Sequence, residues 1–230
     1  MLHRRVILAL PLAALLPASA SADAASVLTG AAGLLRRFKG NEAWEGVWNL
    51  LGASQAVLLA PRIAGGGLLV AGQRGDGVVL ARHGSAWSDP VGLTLTSLSV
   101  GFQAGVAEVG LALAILSRRA LMRLVRGGIS GGGSGGFSLG DLGVSGQASG
   151  SGEGIETLAI SVSAGGIFAG GGFGGMTLSP SEQINKALYG STTGRLEEVL
   201  NRPGGRVAAA RENRELLAEA TRRSFGAAAR

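Results

Sequence analysis

The chain has 230 residues, 41 of them glycine and none cysteine, with 21 basic and 15 acidic side chains and a formal charge of +6. Apolar residues make up 46% and charged residues 16%, a balance that excludes a disordered chain. The lack of cysteine excludes disulfides, thiolate zinc sites and a cysteine nucleophile, and the glycines follow no triplet period, which excludes collagen.

Residues 1–22 have the form of a secretory leader. Arg4 and Arg5 make a positive start, and Val6 to Leu16 form an apolar run. Ala18-Ser19-Ala20 and Ala20-Ser21-Ala22 offer small-residue cleavage sites. The run is shorter than the roughly 20 residues of a membrane span. Export to the periplasm follows as the expectation, with Sec and twin-arginine routes both open. Of the basic residues 19 are arginine. Without clustering and stacking aromatics, that bias is no nucleic-acid signature.

Residues 26–39 predict a helix, with Val27, Leu28, Ala31, Leu34, Leu35 and Phe38 on one face. Arg36, Arg37 and Lys39 crowd its last turn, where positive charge suits the helix dipole, and Gly40 supplies the stop. A second helical segment starts at Asn41, a good N-cap, and carries Trp44, Val47, Trp48 and Leu51. Ala56 to Ala60 is a short apolar run. Residues 67–80 read as a hairpin that turns through Gly72 to Gly77, with Asp76-Gly77 as the turn pair. The alternation at 93–100 shifts phase at Thr96-Ser97, which suggests a β-bulge.

Val109, Leu111, Leu113 and Ile115 mark another strand, and residues 118–126 a short helix with Arg119, Arg123 and Arg126 on one side. Residues 127–136 read as a glycine-serine loop. Residues 157–163 alternate as a strand, 166–178 look hairpin-like and resemble 67–80, and 181–200 read as helical. Arg206 to Arg230 is a mixed-charge helix expected outside the core. The resulting division is a leader (1–22), N-terminal amphipathic helices (23–53), a β-rich domain (54–202) and a C-terminal helical tail (203–230).

Most chemical motifs fail on context. Gly170-x-Gly172-x-x-Gly175 and Gly131-x-Gly133-x-x-Gly136 match the dinucleotide fingerprint in letters, but strand-like residues follow where a helix must start. His83 lies near Ser85, Ser88 and Asp89 in a stretch that turn chemistry explains. One histidine beyond the leader offers no ordinary zinc site, and no carboxylate pair stands out. The expectation is a protein that is not an enzyme and needs no cofactor or metal.

The basic amphipathic stretch 26–51 admits two readings. As an interfacial segment, Phe38, Trp44 and Trp48 enter the headgroup region while Arg36, Arg37 and Lys39 meet anionic lipid. As core, the same apolar stripe packs on the sheet. The arginines of 118–126 form a second basic candidate, against which stands a plain solvated helix face.

Several blocks, taken in order, resemble the SYLF domain family. They are Ser54 to Pro61, Gly66 to Leu80, Trp87-Ser88-Asp89-Pro90 and Val100 to Gly105. Gly165 to Gly170 and Asn185 to Gly190 complete the set. The resemblance implies an α+β domain of glycine-rich antiparallel β-sheets, sandwich- or barrel-like, with short flanking helices. It also implies no catalysis and binding to phosphoinositides or other acidic lipids, with an N-terminal amphipathic segment in the membrane contact. The 127–136 loop and the 206–230 tail depart from the family pattern.

The expected function is docking on an anionic membrane surface. Arg36, Arg37, Lys39, Phe38, Trp44 and Trp48 make the main contact, and Arg74, Arg119 and Arg123 reach phosphate headgroups. Arg74 is expected in the hairpin turn beside Gly75 and Gly77. The alternative is an envelope structural or protein-interaction module whose C-terminal helix pairs with a protein partner.

Overall fold

A computed structural model describes residues 23–67, 70–100, 103–127, 136–139, 144–151, 154–163, 176–190 and 196–227. The first layer of the chain is helical: α1 (Ala24–Lys39), a one-turn 3-10 helix (Glu42–Trp44) and α2 (Glu45–Ala53). Strands β1 (Ala56–Gly67), β2 (Val70–His83), β3 (Ala86–Trp87), β4 (Val91–Val100) and β5 (Gln103–Ile115) follow, then α3 (Arg118–Gly127). Next come β6 (Gly136–Leu139), β7 (Val144–Ser151), β8 (Gly154–Ser163) and β9 (Met176–Pro180). The chain ends in α4 (Glu182–Tyr189), α5 (Leu196–Leu200), a 3-10 turn (Ala208–Ala210) and α6 (Arg211–Ala227). The leader, residues 128–135 and residues 164–175 lie outside the described residues. So does most of the expected second hairpin.

The strands form one antiparallel sheet in the order β6-β7-β8-β5-β1-β2-β4-β9, with β3 paired to β2. The α+β class therefore holds. The described strands form a single antiparallel path with two ends, not closed into a barrel, and helices flank it.

Both faces of the sheet centre are buried, which is why β1 opens with an unbroken apolar run rather than an alternation. Val57, Leu59, Val78, Leu80, Ala112 and Ala114 point to a cluster shared with α1, α2 and α6. Their neighbours Ala56, Leu58, Val79, Leu111 and Leu113 join the opposite cluster, with Leu93, Leu95, Leu178 and α5's Leu200. Ala120 and Leu121 of α3 enter that second cluster, and α3 touches both β8 and β9. Those strands stand far apart in the sheet order, so the sheet curls around this interior. Right-handed strand twist favours such curling.

Several expectations are corrected. Gly72 to Gly77 do not turn: β2 runs through them, paired with β1 from Gly66↔Gly72 to Ala56↔Ala81. The reason is steric. A Cβ at Gly75 would lie 2.6 Å from the Arg62 carbonyl oxygen, and one at Gly77 2.8 Å from that of Leu59. These glycines admit a kinked neighbouring strand. The kink itself falls in β1 around Pro61, where the register shifts between Leu59 and Arg62. β4 pairs regularly with β2 from Val79↔Val91 to Val70↔Val100, so no bulge sits at Thr96-Ser97.

The helix expected over 181–200 is two helices. α4 stops at Gly190, whose φ of 74° is the left-handed conformation that glycine adopts without strain. The C-terminal tail is not outside the core. Leu217 and Ala220 of α6 are fully buried against α1 and α2. α2 and α6 approach so closely that a Cβ on Gly52 would sit 2.3 Å from the Ala220 carbonyl.

Candidate functional site

The basic segment begins with a firm helix. Asp23 caps α1 by accepting from the Ser26 N–H at 2.6 Å, and the Gly40 N–H closes the last turn on the Arg36 carbonyl at 2.9 Å. Asn41 then caps the 3-10 turn, its Oδ1 accepting from the Ala43 N–H at 3.0 Å. The periodic stripe lies inward as a unit: Val27, Leu28, Ala31, Leu34, Leu35 and Phe38 are all buried.

This corrects the interfacial placement of three residues. Phe38, Trp44 and Trp48 are 0%, 5% and 1% exposed and belong to the helix-side core. Phe38 and Trp44 pack ring to ring, centroids 5.0 Å apart. α6 is the reason: Leu216, Leu217 and Ala220 join the same cluster, and Asn213 donates from Nδ2 to the Leu28 carbonyl of α1. The indole Nε1 atoms of Trp44 and Trp48 are buried and meet no hydrogen-bond partner among the described residues.

The cations remain outside. Arg36 pairs with Glu212 of α6, and Lys39 Nζ with Glu219 of α6 at 2.7 Å. Arg223 of α6 pairs in turn with Glu45 of α2. Each of these side chains is about half exposed, and pairs of that kind contribute only about 0.2–1 kcal/mol. Arg37 is exposed and lies over the Trp44 ring, 5.9 Å from its centroid. Among the described residues no carboxylate pairs with it. A cleft of about 90 Å³ at the end of α1 is lined by Lys39, Asn41, Glu42, Glu45, Trp48 and Arg223. Its charges balance, and it is far below the roughly 300 Å³ at which small-molecule pockets begin.

The remaining candidates stand elsewhere. Arg74 is exposed in the middle of β2, opposite Ala64 and Thr96, and not in a turn. Arg119 is exposed on α3, and Arg123 lies on the same helix with its side chain outside the described residues. Since α3 packs on the opposite face of the sheet from α1, the structure separates these arginines from the α1 cluster.

Sequence reasoning missed the part played by Trp87-Ser88-Asp89-Pro90. Asp89 is 5% exposed. It accepts from the N–H groups of Gly205, Arg206 and Val207 at 3.1, 2.9 and 3.3 Å, and from Arg214 Nη1 at 2.6 Å. Ser88 Oγ accepts from the Ala81 N–H and donates to the Asp89 carbonyl, each at 2.9 Å. Trp87 Nε1 donates to Thr221 of α6 at 3.0 Å, and the Tyr189 hydroxyl donates to the Pro90 carbonyl. Burial, with the Asp89 charge, pushes the Tyr189 hydroxyl well above the usual tyrosine range. Trp87 and Asp89 thus fasten α6 to the sheet, Ser88 ties this segment to Ala81 of β2, and His83 Nε2 bonds the Leu200 carbonyl at 2.8 Å.

Among the described residues no group of acidic or histidine side chains could hold a metal, and no helix is long and apolar enough to cross a membrane. The curled sheet, with α6 fastened to it, defines an α+β domain that carries a cationic turn at the end of α1. A family model described as Ysc84, Las17-binding protein actin regulator, matches residues 96–222, and the chain belongs to that family, which is the SYLF family resembled above. The matched stretch ends inside α6, the helix that fastens to Trp87 and Asp89. No curated protein and no solved structure matches the chain.

Proposed function

We propose that the protein is an exported, non-catalytic domain of the periplasm that docks peripherally on anionic membrane surfaces through the last turn of α1. The observation that carries the reading is the exposure of Arg36, Arg37 and Lys39 on one turn whose underside, Phe38, is anchored in the core. Each cation held near an anionic surface contributes about 1 kcal/mol. Three such groups give weak, reversible attachment, reduced by the carboxylates that already pair with two of them. Contact is electrostatic and rigid, with Phe38, Trp44 and Trp48 supporting the turn from within. A flat surface meets one side of the domain, so α3 with Arg119 and Arg123 takes no part in the same contact.

Co-sedimentation with phosphatidylglycerol-containing vesicles tests this. Binding falls as salt rises, because exposed charges are screened over about 8 Å at 0.15 M ionic strength. Arg36→Glu/Arg37→Glu loses binding by more than about ten-fold at ~1 kcal/mol per charge. Binding that ignores salt and this reversal refutes the reading.

A second reading is a protein-binding role. The family's own description as a Las17-binding actin regulator favours it. A partner reaching α6 would meet its outer face, where Phe225 is 51% exposed beneath Arg82, 5.1 Å from the ring centroid. Retention of a protein partner by the Arg36→Glu/Arg37→Glu variant, together with no vesicle binding by the unmodified chain, would select this reading.

A further inference from the structure

We infer that Glu212 and Glu219 of α6 are built-in counter-anions that set how anionic a surface must be before the α1 turn engages it. The inference rests on the membrane-docking reading above and specifies its regulation. Glu212 and Glu219 are seven residues apart, two helical turns, and so share one face of α6. Opposite them stand Arg36 and Lys39, each held by one of the two carboxylates. All four side chains are 42–53% exposed, so water and competing anions reach both pairs.

A membrane that takes up Arg36 and Lys39 must replace those carboxylates with lipid phosphates. Exposed ion pairs are weak, and so is the attraction of one cation to an anionic leaflet. The exchange is therefore close to balance and is tipped by the density of anionic lipid. Arg37, which stacks on Trp44, is the cation that makes contact without an exchange.

The device requires no release of α6. That helix is fixed from beneath by the buried Asp89–Arg214 pair, by Trp87 on Thr221 and by Leu217 and Ala220 in the core. The carboxylates turn away at their exposed ends while the helix stays in place.

The test compares the full chain with Glu212→Gln/Glu219→Gln on phosphatidylcholine vesicles containing a rising fraction of phosphatidylglycerol. Glutamine keeps the side-chain volume, and both pairs lie at the surface, so the fold is retained. The double variant is expected to bind on the order of twenty-fold tighter, about five-fold per charge removed, with its threshold shifted to a lower anionic fraction. Glu197→Gln is the control for net charge. It lies on α5, exposed on the opposite side of the sheet from the docked turn, and is expected to change binding by less than about two-fold because exposed charges far from the contact are screened. A double variant that binds no tighter than the unmodified chain overturns the inference, as does Glu197→Gln matching the effect of either α6 substitution. If no form binds at any anionic fraction, the docking reading itself falls and the inference falls with it. Binding with an unshifted threshold removes only the inference.

Discussion

Replacement of Asp89 by alanine would test whether the C-terminal helix is structural. The carboxylate is 7% exposed and Arg214 15%, so the pair is largely shielded from solvent screening. Asp89→Ala leaves that guanidinium without its partner, and the N–H groups of Gly205, Arg206 and Val207 without an acceptor. Breaking a buried pair by removing one partner costs about 3–5 kcal/mol. Water entering the vacated space can solvate the three loop N–H groups, so their loss adds little. In a domain of this size 1 kcal/mol corresponds to about 2–4 °C, which puts the fall in Tm at roughly 6–20 °C. Thermal and urea unfolding followed by circular dichroism measure it. Arg214→Ala in the Asp89→Ala background should cost less than in the unmodified chain, with a coupling of about 1–3 kcal/mol. A loss under about 1 kcal/mol, or additive effects, would refute the fastening of α6 through Asp89.

Trp48→Ala, which empties a core site, should cost about 3–5 kcal/mol in urea unfolding, a loss of stability rather than a selective loss of vesicle binding. Gly77→Ala places a Cβ 2.8 Å from the Leu59 carbonyl oxygen and should cost about 1–3 kcal/mol in the same assay, whereas a turn glycine would not clash there. Tyr189→Phe should cost about 0.5–1.5 kcal/mol near neutral pH through the lost bond to the Pro90 carbonyl. Because the folded hydroxyl titrates above its unfolded value, its contribution is fully present below about pH 10 and is lost as pH rises through the folded value. Urea unfolding as a function of pH should show an alkaline decline in the unmodified chain that is smaller in Tyr189→Phe.

The local elements were legible where period and caps agree. The stripe from Val27 to Phe38, the stop at Gly40 and the cap at Asn41 sit where their spacing placed them. The strands at 109–115 and 157–163 lie within β5 and β8. The turn assigned to Gly72–Gly77 failed because glycine serves two purposes. There it makes room for the kinked β1 rather than reversing the chain.

The covering of the basic segment by α6 was hidden for a different reason. The buried face of α6 uses Asn213, Ala220 and Thr221 beside Leu216 and Leu217, so its apolar period is faint. Its contacts with Arg36 and Lys39 span 176 and 180 residues, which no local pattern carries. The available signal was Glu212 and Glu219, spaced to face a basic helix.

Electrostatic docking with a closed core is decided by vesicle binding read through tryptophan emission, using anionic phosphatidylglycerol vesicles with brominated acyl chains. Docking through the α1 turn gives salt-sensitive co-sedimentation with the emission of Trp44, Trp48 and Trp87 unquenched, since all three rings stay in the helix-side core. Quenching of the bound protein, or no co-sedimentation at low salt, would contradict it.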